Sequence, residues 1–182
     1  MSSLHYEFNI VVGRGRELVE ASGRKVGTSY RPRLVIVPKY LTFILKIGGG
    51  AFSLAGMVFV SQKLSTAPVA VRRFILAHEA AHALFGHCSR MLAYWAAIFI
   101  SAIVARGLVP GDHGRLAESL ILGTGIALAQ WAQPLNWELD ADSVAASVVG
   151  SEVGRSTLES MFGWLNVRVG SIARKRLKAL DR

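Results

Sequence analysis

The stretch that decides the reading is Leu76-Ala77-His78-Glu79-Ala80-Ala81-His82, set inside an apolar run from Val71 to His87. On a helix, residues four apart lie one turn above each other on the same face, so His78 and His82 can offer two imidazole nitrogens to one metal ion. Glu79 is rotated by about 100° from His78, which sets its carboxylate beside such an ion rather than on it. There it can take a proton from a bound water as a general base. Val71, Phe74, Ile75, Ala81, Leu84 and Phe85 recur at helical spacing, and the spacing predicts a helix with Thr66 as N-cap and Pro68 in its first turn.

Two histidines leave a tetrahedral zinc in need of a third protein ligand and an open position for water. Glu138, in Glu138-Leu139-Asp140-Ala141-Asp142, is the candidate. Asp142 lies one helical turn further along the same face, where its carboxylate can accept the free ring N–H of a ligand histidine and hold that ring in place. His5, His87 and His113 read as ordinary histidines.

These residues resemble the HtpX-like and CAAX-prenyl-protease-like zinc peptidases, gluzincins in which H-E-x-x-H is followed by E-x-x-A-D on a later helix. Leu76-Ala77-His78-Glu79 is similar to the family's L-A-H-E entry, and Glu138 to Gly150 to its E-x-x-A-D-x-x-A-x-x-x-x-G stretch. His87 stands where soluble members often carry a further histidine. Ala51-Phe52 followed by Gly56-Met57-Val58-Phe59-Val60 resembles the family's edge-strand region beside the active site. The resemblance implies that one zinc ion is held by His78, His82 and Glu138, with Glu79 as the catalytic base. It departs from the family near the C-terminus, where Gly170 to Arg176 lacks the usual His-Pro pair, although Arg176 stands in place of the family's arginine. A weak or regulated enzyme is compatible with that loss.

A chain of 182 residues is of single-domain length and long enough to bury a core. A net charge of +9 beside an apolar fraction of 52 % suggests a membrane neighbour, since basic soluble proteins tend to be polar as well. The basic residues gather near the start (Arg14, Arg16, Arg24, Lys25, Arg31, Arg33) and at the end (Arg168, Arg174, Lys175, Arg176, Lys178, Arg182). Neither cluster shows the interleaved aromatics or recognition helix that nucleic-acid binding calls for, and anionic lipid headgroups fit better. A solvated basic face with no partner fits equally well. With Cys88 the sole cysteine, an intrachain disulfide is excluded. The first eleven residues carry no signal pattern, which points to a cytoplasmic site.

Along the chain, Tyr6–Val12, Leu34–Val37 and Leu41–Leu45 are rich in β-formers and read as strands, with Gly13-Arg14-Gly15 as a turn. Tyr40 to Val60 reads as two strands joined at Gly48–Gly50, and Met57–Gln62 as an exposed edge able to hold an extended peptide. Met91–Ala105 and Leu120–Trp131 contain no charged residue and are separated by Gly107-Leu108-Val109-Pro110-Gly111-Asp112, the pattern of a helical hairpin. These apolar cores of 15 and 12 residues fall short of the roughly 20 needed to cross a bilayer upright. They fit either two buried core helices or a membrane-inserted hairpin with Tyr94, Trp95 and Trp131 as interfacial anchors. The family resemblance favours the second, and an inserted hairpin sets both basic ends on one side, the cytoplasm by the positive-inside tendency. Pro134 ends the second hairpin helix, Asn136 reads as the cap of the next, which runs to Gly150, and two short helices follow. The last, Ile172 to Leu180, sets Ile172, Leu177 and Leu180 against a basic face.

The expected fold is α+β, with a small antiparallel or mixed sheet on a zincin helix bundle and the apolar hairpin between the two zinc motifs. The expected organisation is one metallopeptidase domain over 1–182, mainly β to residue 64, with the active-site helix over 65–88. The hairpin takes 89–134, and the Glu-ligand helix and C-terminal helices take 135–182. The expected activity is zinc-dependent endoproteolysis of a polypeptide substrate at a membrane, with the site facing the cytoplasm, the expected partners being the substrate and membrane lipid but not nucleic acid. Two alternatives stay open. His82-Ala83-Leu84-Phe85-Gly86-His87 resembles the H-x-x-x-G-H tail of the soluble ImmA/IrrE-like regulatory proteases, although the long apolar hairpin does not suit that compact family. The other alternative is a catalytically idle membrane scaffold with a zinc site.

Overall fold

A computed structural model describes residues 3–21, 31–38, 51–54, 56–132, 134–164 and 170–181. In chain order the elements are helix α1 (Ser3–Ala21), strands β1 (Arg33–Val37), β2 (Ala51–Leu54) and β3 (Met57–Ser61), and a short 3-10 turn over Gln62–Thr66. Helices α2 (Val69–Leu84), α3 (His87–Leu108), α4 (Asp112–Ala132), α5 (Pro134–Val149), α6 (Ser151–Trp164) and α7 (Ser171–Ala179) follow. The protein is thus mostly helical with a small mixed sheet, α+β in class. It divides into two compact units, Met1–Cys88 with Trp137–Arg182, and Ser89–Asn136.

In the larger unit α2 is the central element. Val71, Phe74, Ile75, Leu76, Ala77, His78, Ala80, Ala81, Ala83 and Leu84 are all buried, so the helix is covered on nearly every side. That is what an all-round apolar helix requires. The sheet, α1 and α6 all pack on it. The strand order is β1-β3-β2, with β1 parallel and β2 antiparallel to β3. Val58 and Val60, fully buried, alternate with Phe59, which stacks on its register partner Phe52 at 4.8 Å on the other face. Burying a side chain such as Phe74, Leu76 or Val58 contributes roughly 1.5–3 kcal/mol.

Several sequence expectations are corrected here. Tyr6–Val12 is helical, not extended, and the first 64 residues therefore open with a helix. The buried residues of α1 are Leu4, Phe8, Val11, Gly15 and Val19, a spacing of three and four that outweighs the β-propensity of a seven-residue window. Gly13-Arg14-Gly15 lies inside that helix, and Gly15 is a packing position: a Cβ there would touch Val144 and Leu84. Met57–Ser61 is the central strand of the described sheet, because Arg33–Val37 pairs along its other side, so β3 is not an edge. Thr66 belongs to the 3-10 turn and donates its hydroxyl to the Lys63 carbonyl, leaving Pro68 at the N-cap of α2. Asn136 lies within α5, which starts at Pro134, the residue pre-set for a first helical turn. The strand expected at Leu41–Leu45 and the break at Gly48–Gly50 lie outside the described residues.

The smaller unit is the expected hairpin. Its two helices are joined at Val109–Gly111 and pack through Ile98, which is buried, and Gly125. A Cβ at Gly125 would come within 2.8–2.9 Å of three Ile98 side-chain atoms, so glycine is what lets the helices approach this closely. The Tyr94 hydroxyl donates to the Gly125 carbonyl at 3.4 Å. Leu92, Phe99, Ile100, Ile103 and Val104 are exposed. Among the described residues one helix, over Ser89–Leu108, is long and apolar enough to cross a membrane.

Candidate metal centre

Three of the site residues come from one turn of α2. His78 is buried, Glu79 and His82 partly so, and the helix stops just beyond them because Gly86 takes a φ of 65°, the left-handed conformation that closes a helix cheaply only at glycine. The fourth, Glu138, is brought in by α5 from 56 residues beyond His82, by the numbering of the chain.

Nε2 of His78 and Nε2 of His82 are 3.1 Å apart. Glu138 lies across from both, with Oε2 3.4 Å from the first nitrogen and Oε1 3.4 Å from the second. Atoms bound to a tetrahedral zinc at about 2.0–2.1 Å lie roughly 3.3–3.4 Å from one another, so these separations have the size of the edges of one coordination tetrahedron. Two imidazole nitrogens and a carboxylate are also the donor set that suits zinc. His78, His82 and Glu138 can therefore hold a metal ion.

A layer of charge lies behind these three side chains. Oδ1 of Asp142 is 2.9 Å from Nδ1 of His78, close in distance but not aligned as a full hydrogen bond. Arg176, from α7, donates from Nε and Nη2 to the two Asp142 oxygens at 2.6 and 2.7 Å, and its Nη1 lies 2.9 Å from Oε2 of Glu138. Asp142 is buried, yet Arg176 and His78 overcome the effect of burial and keep its carboxyl below the usual range. Burial would likewise raise Glu138, but His78, His82 and Arg176 hold it far down. For His78, burial opposes the charged ring, but Asp142 and Glu138 outweigh it and lift the imidazole to about 10. Both carboxylates are thus held in their charged form by the cationic groups around them. For Glu79 burial dominates and raises the carboxyl, against the pull of His78 and His82.

The residues singled out from sequence, His78, Glu79, His82, Glu138 and Asp142, fall in one cluster. Two further residues join them. Arg176, noted in the sequence only as a counterpart of the family arginine, clamps Glu138 and Asp142. His87, read as an ordinary histidine, has Nδ1 3.0 Å from Nδ1 of His82 and stacks on Trp137 at 4.9 Å. The sequence signal for both was thin, because each reaches the site by tertiary packing rather than by periodicity. Comparison of the chain with protein-family models, with curated proteins and with solved structures found no match.

Proposed function

We propose that the protein is a zinc-dependent metalloendopeptidase of the HtpX-like and CAAX-prenyl-protease-like kind, acting in protein turnover at a membrane. The observation that carries this reading is the convergence of His78, His82 and Glu138 from two distant helices, with Glu79 next to His78 on the same turn. A zinc ion held by these three side chains would supply Lewis acidity toward the scissile carbonyl and lower the pKa of a water. Glu79 accepts a proton from the attacking water at its carboxylate and passes it to the leaving amine. The burial that raises its carboxyl moves it toward the range of a base that must also act as an acid near neutral pH. Arg176 and Asp142 keep Glu138 and His78 oriented.

The sheet packed on α2 and the carboxylate delivered from α5 support a zincin-type arrangement. Since β3 is central, β1 and β2 are the edges of the described sheet, and β2, which packs on α2, is the one beside the site that can offer main-chain hydrogen bonds with little sequence preference. The exposed apolar surface of the Ser89–Leu108 helix supports membrane association, and the basic ends of the chain favour a cytoplasmic orientation of the site by the positive-inside tendency. Such exposure speaks against the soluble ImmA/IrrE-like alternative.

The test is cleavage of an unfolded protein by the zinc-loaded chain and by its Glu79→Gln variant. Turnover by the wild type alone supports the reading. Equal or absent cleavage in both, with zinc bound, would favour an idle scaffold.

A further inference from the structure

We propose that His87 is a positioning residue that ties the two halves of the metal centre together, a role that rests on the metal-binding part of the reading above. Nδ1 of His87 lies 3.0 Å from Nδ1 of His82. The opposite nitrogen of His82 faces Nε2 of His78 at 3.1 Å and Oε1 of Glu138 at 3.4 Å. An imidazole that gives Nε2 to a cation carries its proton on Nδ1. His82 therefore donates its Nδ1–H, and His87 accepts at Nδ1 and carries its own proton on Nε2. His87 stands behind His82 as Asp142 stands behind His78.

The ring also works through its face. His87 is buried and lies nearly parallel to Trp137, with centroids 4.9 Å apart and planes 8° apart, and it packs against Phe85 at 5.2 Å. Trp137 directly precedes Glu138. A single imidazole thus fixes the torsion of one ligand by its edge and the first turns of the helix that carries another ligand by its plane. Gly86, with its positive φ, turns the chain so that a residue beyond the end of α2 comes back to that helix's last histidine.

The experiment measures zinc affinity by chelator competition on the full chain, for wild type, His78→Ala, His87→Phe and His87→Gln, and reads histidine tautomers by nitrogen-15 NMR of the zinc-loaded wild type. His87→Phe keeps a ring against Trp137 but has no acceptor, and zinc should bind about 10–100-fold more weakly. His87→Gln, whose carbonyl can accept, should recover part of that loss. The spectra should show His82 protonated on Nδ1 and His87 on Nε2. Wild-type affinity in His87→Phe, or a proton on Nδ1 of His87, overturns the proposal while leaving the metal site intact if His78→Ala has lost its zinc. A wild type that binds no zinc overturns the metal reading and this proposal with it. Should His87→Phe fail to fold, the wild-type tautomers still decide.

Discussion

Asp142 and Arg176 are joined by two hydrogen bonds of 2.6 and 2.7 Å, and the aspartate so held is 1 % exposed directly behind His78. An ion pair at this depth is weak evidence for net stability, because desolvation of both charges offsets much of their attraction. Its value is geometric. The pair welds α7 to α5 under the cluster, and Arg176 extends the same clamp to Glu138.

Removing one partner leaves the other charge buried without compensation. Arg176→Met should therefore destabilise the protein by on the order of 3 kcal/mol. Denaturant unfolding checks this, and a change below about 1 kcal/mol would mean that the pair is solvated or replaceable.

Asp142→Asn keeps the shape of the side chain but removes the charge that faces His78. The expected result is zinc affinity lower by about 10–100-fold with the fold retained. Chelator competition measures it, and an unchanged affinity would remove Asp142 from the orientation of His78.

Glu7 anchors α1 to α2 through Arg72, whose Nε and Nη2 donate to its two oxygens at 2.7 and 2.5 Å. The Arg72 hydrogen bonds lower the Glu7 carboxyl, against a smaller raising effect of burial. Because the folded value is depressed, the stabilisation is present above the ordinary carboxyl value of 4.5 and is lost as pH falls through the folded value. Glu7→Gln should cost on the order of 1–2 kcal/mol near neutral pH and much less in acid. Stability curves of both proteins against pH should converge as the pH falls through the depressed folded value of Glu7, and parallel curves would contradict the assignment.

Exposed Phe99, Ile100 and Ile103 give the Ser89–Leu108 helix its apolar surface. Placing a charge there, as in Ile100→Asp, costs roughly 2.5–3.5 kcal/mol at the centre of a spanning helix. Flotation with anionic vesicles should show the wild type in the lipid fraction and the variant shifted toward the soluble one. Equal distribution of both would argue against insertion of this helix.

The sequence made the metal cluster legible because helical spacing fixes which side chains share a face. His78 and His82 follow from a spacing of four, and the same rule sets Asp142 one turn beyond Glu138 on the same face. It could not reveal Arg176 or His87 as parts of the site. Arg176 arrives from α7 only after that helix docks, and His87 depends on the turn at Gly86 and on the plane of Trp137. The helical hairpin was readable from two uncharged runs and the linker that carries Gly107, Pro110 and Gly111. The error at Tyr6–Val12 came from weighing β-forming side chains over seven residues when the helical repeat needs nineteen, Ser3 to Ala21, to declare itself. Strand order is likewise invisible to composition, since a parallel partner from Arg33–Val37 can cover β3 without leaving any mark on the sequence of β3.

Zinc content of the purified wild type, Glu79→Gln and Glu138→Ala, measured by elemental analysis after exhaustive buffer exchange, tests the central claim most directly. The account predicts one zinc per chain in the wild type and in Glu79→Gln, and loss of zinc in Glu138→Ala. Equal zinc in Glu138→Ala and wild type would contradict it.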